Sequence, residues 1–553
     1  MKKRVVLIIL IAILIIYTVL SFHNLGSTKN PQTMKKFDVN EMSYLHFNTN
    51  VGIDKVRVYV GNDISDIDIY LMEKKDSEYA YYLDHNFDYT SVFTWQEFEI
   101  TGTGNYSYIG IASYDYNNVI GEIVALDKYG NVIDLIADDS KDKELVDESN
   151  MNPDKISYMN STYFDEIYHA RTAYEQLNNV NPFESVHPPL GKIIISIPVA
   201  LFGMTPFAFR LMGNIAGILM ILIMYFIGKE IFKSEWFGLV SASIMALDGM
   251  HFVQTRIATV DSFLVLFCMI SFLFMIKYIG VKKEGSLKKK LLYLLLSGLF
   301  IGMGIATKWT ALFVGLGLAI IFFVHLIYNS IKDKKISKDN IITVCFCVLF
   351  FIIIPAIIYW LAYIPLYKID DCTVKDLKSL VEYTKGMYEY HSKLNAEHPF
   401  TSEWYTWPIL KVPMWYYVNY LPNNMISTIS CMGNPFIWWL GIGTTVISLL
   451  YMIIKRNKEA ALFIVMIVTT WLPYLFIGRV MFIYHYFITL PFVMLSIVFV
   501  LKKIEEKLHI KYISIIVLFV FLFGFVYFFP VYSGKEVSMD YIEQTKWFDT
   551  WIY

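Results

Sequence analysis

Residues 206–228 read PFAFRLMGNIAGILMILIMYFIG. Arg210 is the one charge, and it stands near the start. About 20 apolar residues in a row let a helix cross the roughly 30 Å hydrocarbon of a bilayer. Such runs recur at 235–255, 261–280, 290–307, 309–329, 340–362, 435–454, 459–478, 482–501 and 512–530. Another, Val5 to about Leu20, follows the basic start MKKR. The next residues, SFHNLGST, contain no clear small-x-small cleavage site, so an uncleaved first helix (1–22) is expected rather than a signal peptide. The count comes to about eleven crossings, at roughly 20 residues each. Composition agrees: 56% of the 553 residues are hydrophobic and 17% charged, where a soluble chain carries about 25% charged. The net charge of −2 offers no overall basic character for nucleic acid, and five cysteines exclude a disulfide scaffold.

Basic residues cluster in alternate short loops: Lys2-Lys3-Arg4, Lys229/Lys233, Lys282-Lys283 with Lys288-Lys289-Lys290, Lys332/Lys334/Lys335/Lys338, Lys455-Arg456 with Lys458, and Lys502-Lys503 with Lys507 and Lys511. The positive-inside rule puts these loops and the N-terminus in the cytoplasm. Segments 23–205 and 363–434 and the C-terminal tail 531–553 then lie outside. The spans fall into two blocks, 206–366 and 435–530, separated by an outer loop, 367–434. High Lys, Ile and Asn content fits an AT-rich bacterial genome, so the membrane expected is the bacterial cytoplasmic one.

Residues 40–145 have another texture. VRVYV, DIDIYLM, FTWQEFEIT, YSYIGIAS, IGEIVALD and VIDLIA are short and β-branched, separated by Gly61-Asn62-Asp63, Gly102-Thr103-Gly104-Asn105 and Tyr129-Gly130-Asn131. That spacing predicts a small extracytoplasmic β-sandwich, and it loosely resembles galactose-binding-like domains. A carbohydrate- or acceptor-binding module and a structural cap both fit. Residues 140–154 (SKDKELVDESNMNPD) read as a charged linker. In the outer loop, Cys372 and Cys431 are either bonded or two free thiols. Cys268, Cys345 and Cys347 sit in spans as small apolar side chains.

Candidate chemistry lies at the outer ends of the spans. The segment 156–205 begins with an amphipathic helix that holds Asp165-Glu166 in its first turn. Adjacent helical residues point about 100° apart, so the two carboxylates have separate roles. A helix N-terminus favours an ionised carboxylate, which suits a base. Thr162-x-x-Asp165 is also the spacing of a capping box. Next comes His187-Pro188-Pro189-Leu190-Gly191-Lys192, where Lys192 snorkels to lipid phosphate or holds a substrate phosphate. Arg210, Arg256 with Asp261, Lys308, Arg479, Tyr484 and His485 complete an outer-side set rich in cations. The positive-inside rule predicts few cations on that face, so an anionic ligand such as a lipid phosphate is implied.

At these residues the chain resembles the protein O-mannosyltransferase family, membrane glycosyltransferases of GT-C fold. The matching pieces are Phe164-Asp165-Glu166, the His187–Lys192 motif, Phe209-Arg210-Leu211-Met212, Gln254-Thr255-Arg256 with Asp261, Thr307-Lys308-Trp309, Ser402–Pro408, Met432-Gly433-Asn434-Pro435 with Trp438-Trp439, and Tyr484-His485-Tyr486. They cover about residues 160–500. Two departures stand out: the outer loop is too short for the β-trefoil of eukaryotic members, and a β-domain is inserted after the first span. The resemblance implies an all-α polytopic fold with eleven transmembrane helices. It also implies a polyprenyl-phosphate-mannose donor and a Ser/Thr hydroxyl of a translocated protein as acceptor.

That chemistry fits the residue inventory. A lipid phosphate is already a good leaving group, so one base suffices where a glycosidase needs two carboxylates. Asp165 is the expected base, with Glu166 orienting the acceptor or supporting Asp165. Arg210, Arg256, Lys308 and His485 are expected to bind the donor phosphate, with His187, Lys192, Asp261, Arg479 and Tyr484 in support. Direct displacement inverts the anomeric configuration. No cofactor and no metal are expected, the lipid-linked sugar being a substrate; a homo-oligomer is compatible with the sequence. Three other readings compete: a transferase acting on a lipid or cell-wall polymer, a transporter, for which Asp248 and His325 inside spans would matter, and a membrane-anchored sugar sensor.

Overall fold

The computed structural model describes residues 3–48, 52–75, 81–83, 87–102, 104, 106–282, 285–335, 337–394, 396–510 and 512–553. Thr103 and Asn105 of one expected turn, and Lys2, Lys283 and Lys511 of the basic loops, lie outside them. The chain forms two compact units. One comprises Asn24–Asn178 and Ile195–Arg210; the other comprises Met1–His23, Asn179–Ile194 and Leu211–Tyr553.

The smaller unit holds two antiparallel five-stranded sheets. In the first, Lys35–Lys36, Val119–Leu126, Lys55–Val60 and Thr94–Glu99 lie in that order, with Val132–Ile133 also on Val119–Leu126. In the second the order is Leu135–Ala137, Glu41–Phe47, Tyr108–Ser113, Ile67–Met72 and Tyr81–Tyr82. Side chains alternate along a strand, so Val56, Val58 and Val60 share one face. They join Leu45, Ile69, Leu71, Ile109 and Ile111 of the second sheet in one buried cluster. The opposite face of Lys55–Val60 is buried too. Tyr59 packs on Trp95 with ring centroids 5.2 Å apart, and Arg57 donates to Asn152 Oδ1 at 2.8 Å.

This second layer corrects the reading of 140–154 as a linker. The segment forms 3₁₀ turns at Ser140–Leu145 and Ser149–Met151, buries Leu145 and Asp142, and pairs Asp142 with Lys35 at 2.7 Å. Its charges are partners for the sheets rather than a solvated spacer.

The larger unit is helical. Among the described residues eight helices are long and apolar enough to cross a membrane: Lys3–Phe22, Pro206–Phe232, Asp261–Ile279, Ala311–Asp333, Lys338–Lys368, Pro435–Lys455, Lys458–Phe476 and Ile513–Ser533. The remaining three apolar stretches are also helical. Leu287–Ile305 and Leu490–Leu508 carry lysines at one end. The 235–255 stretch is broken into Glu235–Ala246 and Gly249–Gln254. Asp248 causes the break: its carboxylate accepts from His251 N at 3.0 Å, Asn434 N at 3.1 Å and Trp438 Nε1 at 2.9 Å. The in-span charge relevant to a transporter is therefore a buried helix cap. Small residues let helices approach where needed; a Cβ on Gly298 would lie 2.1 Å from Phe350 O.

The loop 367–434 contributes the amphipathic helix Leu377–Lys393 and the hairpin Met414–Leu421/Met425–Cys431, to which Val537–Ser538 of the tail adds a short strand. Cys372 and Cys431 are free and buried, which settles the thiol alternative for the structure.

Candidate active site

In the smaller unit the helix carrying the acidic pair runs Glu166–Leu177, with Asp165 as N-cap. Asp165 makes no side-chain cap bond. The Thr162 hydroxyl donates instead to Val92 O at 2.6 Å, so the expected capping box is not formed. Asp165 is half-buried while Glu166 is fully buried, as the angle between neighbouring helical residues requires.

Glu166 and Arg210 correct the sequence reading together. Arg210 is fully buried in the first turn of Pro206–Phe232. Its Nε and Nη2 donate to Glu166 Oε1 and Oε2, both at 2.7 Å. Nη1 donates to Leu25 O (2.9 Å) and Tyr158 O (2.8 Å), and Nη2 also to Ser161 O (3.0 Å). A guanidinium has five N–H donors, and all five are committed to protein. Arg210 thus ties Glu166 to the backbone that leads into the helix, and it has no donor left for a phosphate.

The larger unit holds the rest of the set. Lys192 is 1% exposed. Its ammonium pairs with the Glu184 carboxylate and donates to Glu184 O and His187 O, each at 3.0 Å. Three partners use three protons, so Lys192 locks the 184–192 loop and is neither a snorkelling group nor a phosphate ligand. His187 Nδ1 is 2.8 Å from Glu184 Oε1. Burial holds His187 below the usual imidazole range, with Lys308 and Lys192 adding to the effect against Glu184. Leu190 N donates to Ala306 O at 3.1 Å, and a Cβ on Gly191 would lie 2.7 Å from Val260 Cγ1. The Pro-Pro-Leu-Gly turn therefore packs directly on the Thr307-Lys308 turn.

Arg256 Nε and Nη2 donate to Ser21 O (3.1 Å) and His23 O (2.9 Å), carbonyls left unpaired at the end of the first helix. At least two of its donors are thereby spent on the backbone. Lys308 is 8% exposed and pairs with Asp261 at 2.8 and 3.1 Å, its ammonium 5.8 Å from the Tyr484 ring centroid. His485 stacks on Tyr484 (4.7 Å) and Trp407 (6.0 Å). Its Nδ1 lies 2.9 Å from Phe482 O; with Nδ1–H donating there, Nε2 carries the lone pair.

His187, Lys308 and Arg479 meet in one cleft of about 500 Å³. Its other walls include Leu312, Phe313, Phe476 and Ile477, and a histidine that the sequence reading passed over, His391. His391 comes from Leu377–Lys393, a polar helix without a motif, so no local signal marks it. Arg479 Nη1 is 3.0 Å from His391 Nδ1, and His391 Nε2 is 2.7 Å from Val186 O. Burial and the nearby His187, Arg479 and Lys308 push the His391 imidazole down to about 4. A cleft with two cations and apolar walls can take an anion attached to a hydrocarbon chain.

Comparison with known proteins identifies the family. A family model described as dolichyl-phosphate-mannose-protein mannosyltransferase matches residues 198–368. A second, described as the C-terminal four-TMM region of protein-O-mannosyltransferase, matches residues 376–551. The chain belongs to the protein O-mannosyltransferase family. It is 23% identical over 462 residues to a polyprenol-phosphate-mannose–protein mannosyltransferase of Mycolicibacterium smegmatis, covering 70% of this chain and 87% of that one. Its counterpart of the same name in Mycobacterium tuberculosis is 24% identical over 475 residues, covering 72% and 88%. The fold is similar to that of the Saccharomyces cerevisiae protein O-mannosyltransferase Pmt1–Pmt2 complex bound to the sugar donor. The TM-score is 0.63 at 13% identity, covering 71% of this chain and 89% of the other. The first family match contains Arg256, Asp261 and Lys308; the second contains His391, Arg479, Tyr484 and His485.

Proposed function

We propose that this multi-span membrane protein is a mannosyltransferase. It moves mannose from polyprenyl-phosphate-mannose to Ser/Thr hydroxyls of translocated proteins, with inversion at the anomeric carbon. The cleft carries the reading: Lys308 and Arg479 stand among Leu312, Phe313, Phe476 and Ile477. A phosphate with a polyprenyl tail is a ligand that needs both kinds of wall. In the reaction the acceptor oxygen bonds to the sugar's anomeric carbon as the bond from that carbon to the phosphate oxygen breaks. The lipid phosphate leaves with the electron pair, and Asp165 takes the hydroxyl proton. Lys308 and Arg479 stabilise the phosphate as its charge grows, Asp261 and Tyr484 hold Lys308, and no metal is required. The topology that goes with this is eleven crossings of the bacterial cytoplasmic membrane, the N-terminus inside, the chemistry outside and the two-sheet unit serving as a β-sandwich module.

The test is transfer of radiolabelled mannose from polyprenyl-phosphate-mannose in membranes that express wild type or Asp165→Asn. Label in protein with wild type, lost in an equally expressed variant, is expected. Label confined to lipid or wall polymer would replace the acceptor class, and equal transfer by both forms would remove Asp165 as base. Activity abolished by a chelator and restored by a divalent ion would overturn the metal-free chemistry.

A further inference from the structure

Arg479 differs from three other cations of the site, Lys308, Arg210 and Lys192. Lys308 has Asp261, Arg210 has Glu166 and Lys192 has Glu184 as carboxylate partner. Among the described residues Arg479 has no carboxylate partner; its side-chain hydrogen bond goes to the ring of His391. It stands on an irregular stretch between Leu472–Phe476 and Ile483–Ile488, so the backbone does little to aim a long, flexible side chain. One of its five donors meets His391, and its side chain lines the cleft.

His391 is held so that it can do this one thing. Its Nε2–H donates to Val186 O at 2.7 Å, which leaves Nδ1 as the lone-pair acceptor that Arg479 reaches. His187 packs edge-on at 5.4 Å and Trp309 at 6.2 Å, fixing the plane of the ring. The titratable and charged groups beside His391 are His187, Arg479 and Lys308. An imidazolium there would turn Nδ1 into a donor pointing at a guanidinium.

We propose that His391 is a positioning residue: its neutral ring accepts from Arg479 and aims that guanidinium into the cleft as an anchor for the phosphate of the lipid donor. This rests on the donor-site reading above. An arginine fixed beforehand loses less side-chain freedom on binding and presents its remaining donors in the planar fork that suits phosphate. His391 itself touches neither the sugar nor the acceptor.

The experiment measures binding of undecaprenyl phosphate to the purified full chain in detergent, for wild type, Arg479→Ala, His391→Ala, His391→Asn, His391→Gln and the double alanine variant. Thermal unfolding establishes that each variant is folded. Asn presents its side-chain oxygen near the place of Nδ1, whereas Gln reaches the place of Nε2. Arg479→Ala and His391→Ala should each weaken binding by about tenfold or more, the range for a hydrogen bond to a charged group. His391→Asn should recover most of the loss and His391→Gln should not. The double variant should bind no worse than Arg479→Ala alone, because His391 acts through Arg479. Wild-type affinity in His391→Ala would overturn the proposal, as would losses that add in full or a wild type that does not bind the lipid. Because the probe carries no sugar and no acceptor is present, the outcome is independent of mannose transfer. Failure of transfer with this binding pattern intact would remove the mannosyltransferase reading and leave the role of His391 standing.

Discussion

Asp165 and Glu166 are neighbours in sequence, yet the structure predicts opposite consequences of altering them. Glu166→Ala removes the acceptor of two charge-assisted bonds at 2.7 Å and leaves the Arg210 guanidinium, fully buried, without a counter-charge. The three carbonyls that remain, of Leu25, Tyr158 and Ser161, accept hydrogen bonds but do not neutralise it. Breaking one side of a buried pair costs about 3–5 kcal/mol. At about 2–4 °C per kcal/mol for a cooperative unit of 150–250 residues, the unfolding midpoint should fall by about 6–20 °C. Asp165→Asn keeps size and shape at a half-buried position, so its stability should change by less than about 1 kcal/mol. Its transfer rate should fall by about 10²–10⁴-fold, the usual contribution of a general base. The assay pairs thermal unfolding of the detergent-solubilised protein with labelled-mannose transfer well below the lower midpoint. A Glu166→Ala protein that melts with wild type would refute the strut assignment. An Asp165→Asn protein that is crippled only because it is unfolded would refute the base assignment.

Lys308→Met should lower transfer by about 10²–10³-fold, the effect of deleting one preorganised donor at a developing charge; a rate within twofold of wild type, with the variant folded, would exclude Lys308 from the phosphate site. In the two-sheet unit Glu122 is buried, Oε2 accepts from Glu148 N at 2.8 Å, and burial raises its carboxyl to about 9, with Asp147 and Glu148 adding to the rise. The folded state therefore holds a proton that the unfolded state releases near pH 4.5, so this residue's contribution to stability declines as pH rises from about 4.5 to 9. Glu122→Gln should flatten the melting midpoint across that window, and an unchanged profile would show that Glu122 is ionised when folded. Cys372 and Cys431 should alkylate slowly in the native protein and completely once denatured without reductant; a denatured protein that yields two fewer thiols would reveal a bond between them.

Much of the architecture was legible because it is local. An apolar run of about 20 residues implies a crossing wherever it sits, and the short strands of 40–145 announce themselves by composition. Lys308, Arg479 and His187 could be named as cations or imidazoles near outer span ends, since position along the chain relative to a span is itself a sequence property. The acidic pair was legible for the same reason: two carboxylates open an amphipathic helix, and helical geometry alone says they must face differently.

What the sequence could not decide is which charges are already spent. On paper Arg210 is a phosphate ligand and Arg479 a supporting cation. The first meets Glu166 across 44 positions and is saturated, while the second meets His391 across 88 and is held by a neutral ring. Asp248 looked like a charge in mid-span until Trp438, 190 positions away, supplied a donor. Residues 140–154 looked like a solvated linker until Arg57 reached Asn152. Periodicity and hydropathy are properties of windows of some 20 residues, whereas hydrogen-bond satisfaction belongs to groups that only the folded chain brings together. The sequence by itself thus determined a membrane-spanning chain with a β-rich insertion and cations gathered near the ends of its spans. The tertiary structure alone decided which of those cations serve as struts and which line the cleft where a phosphate can bind.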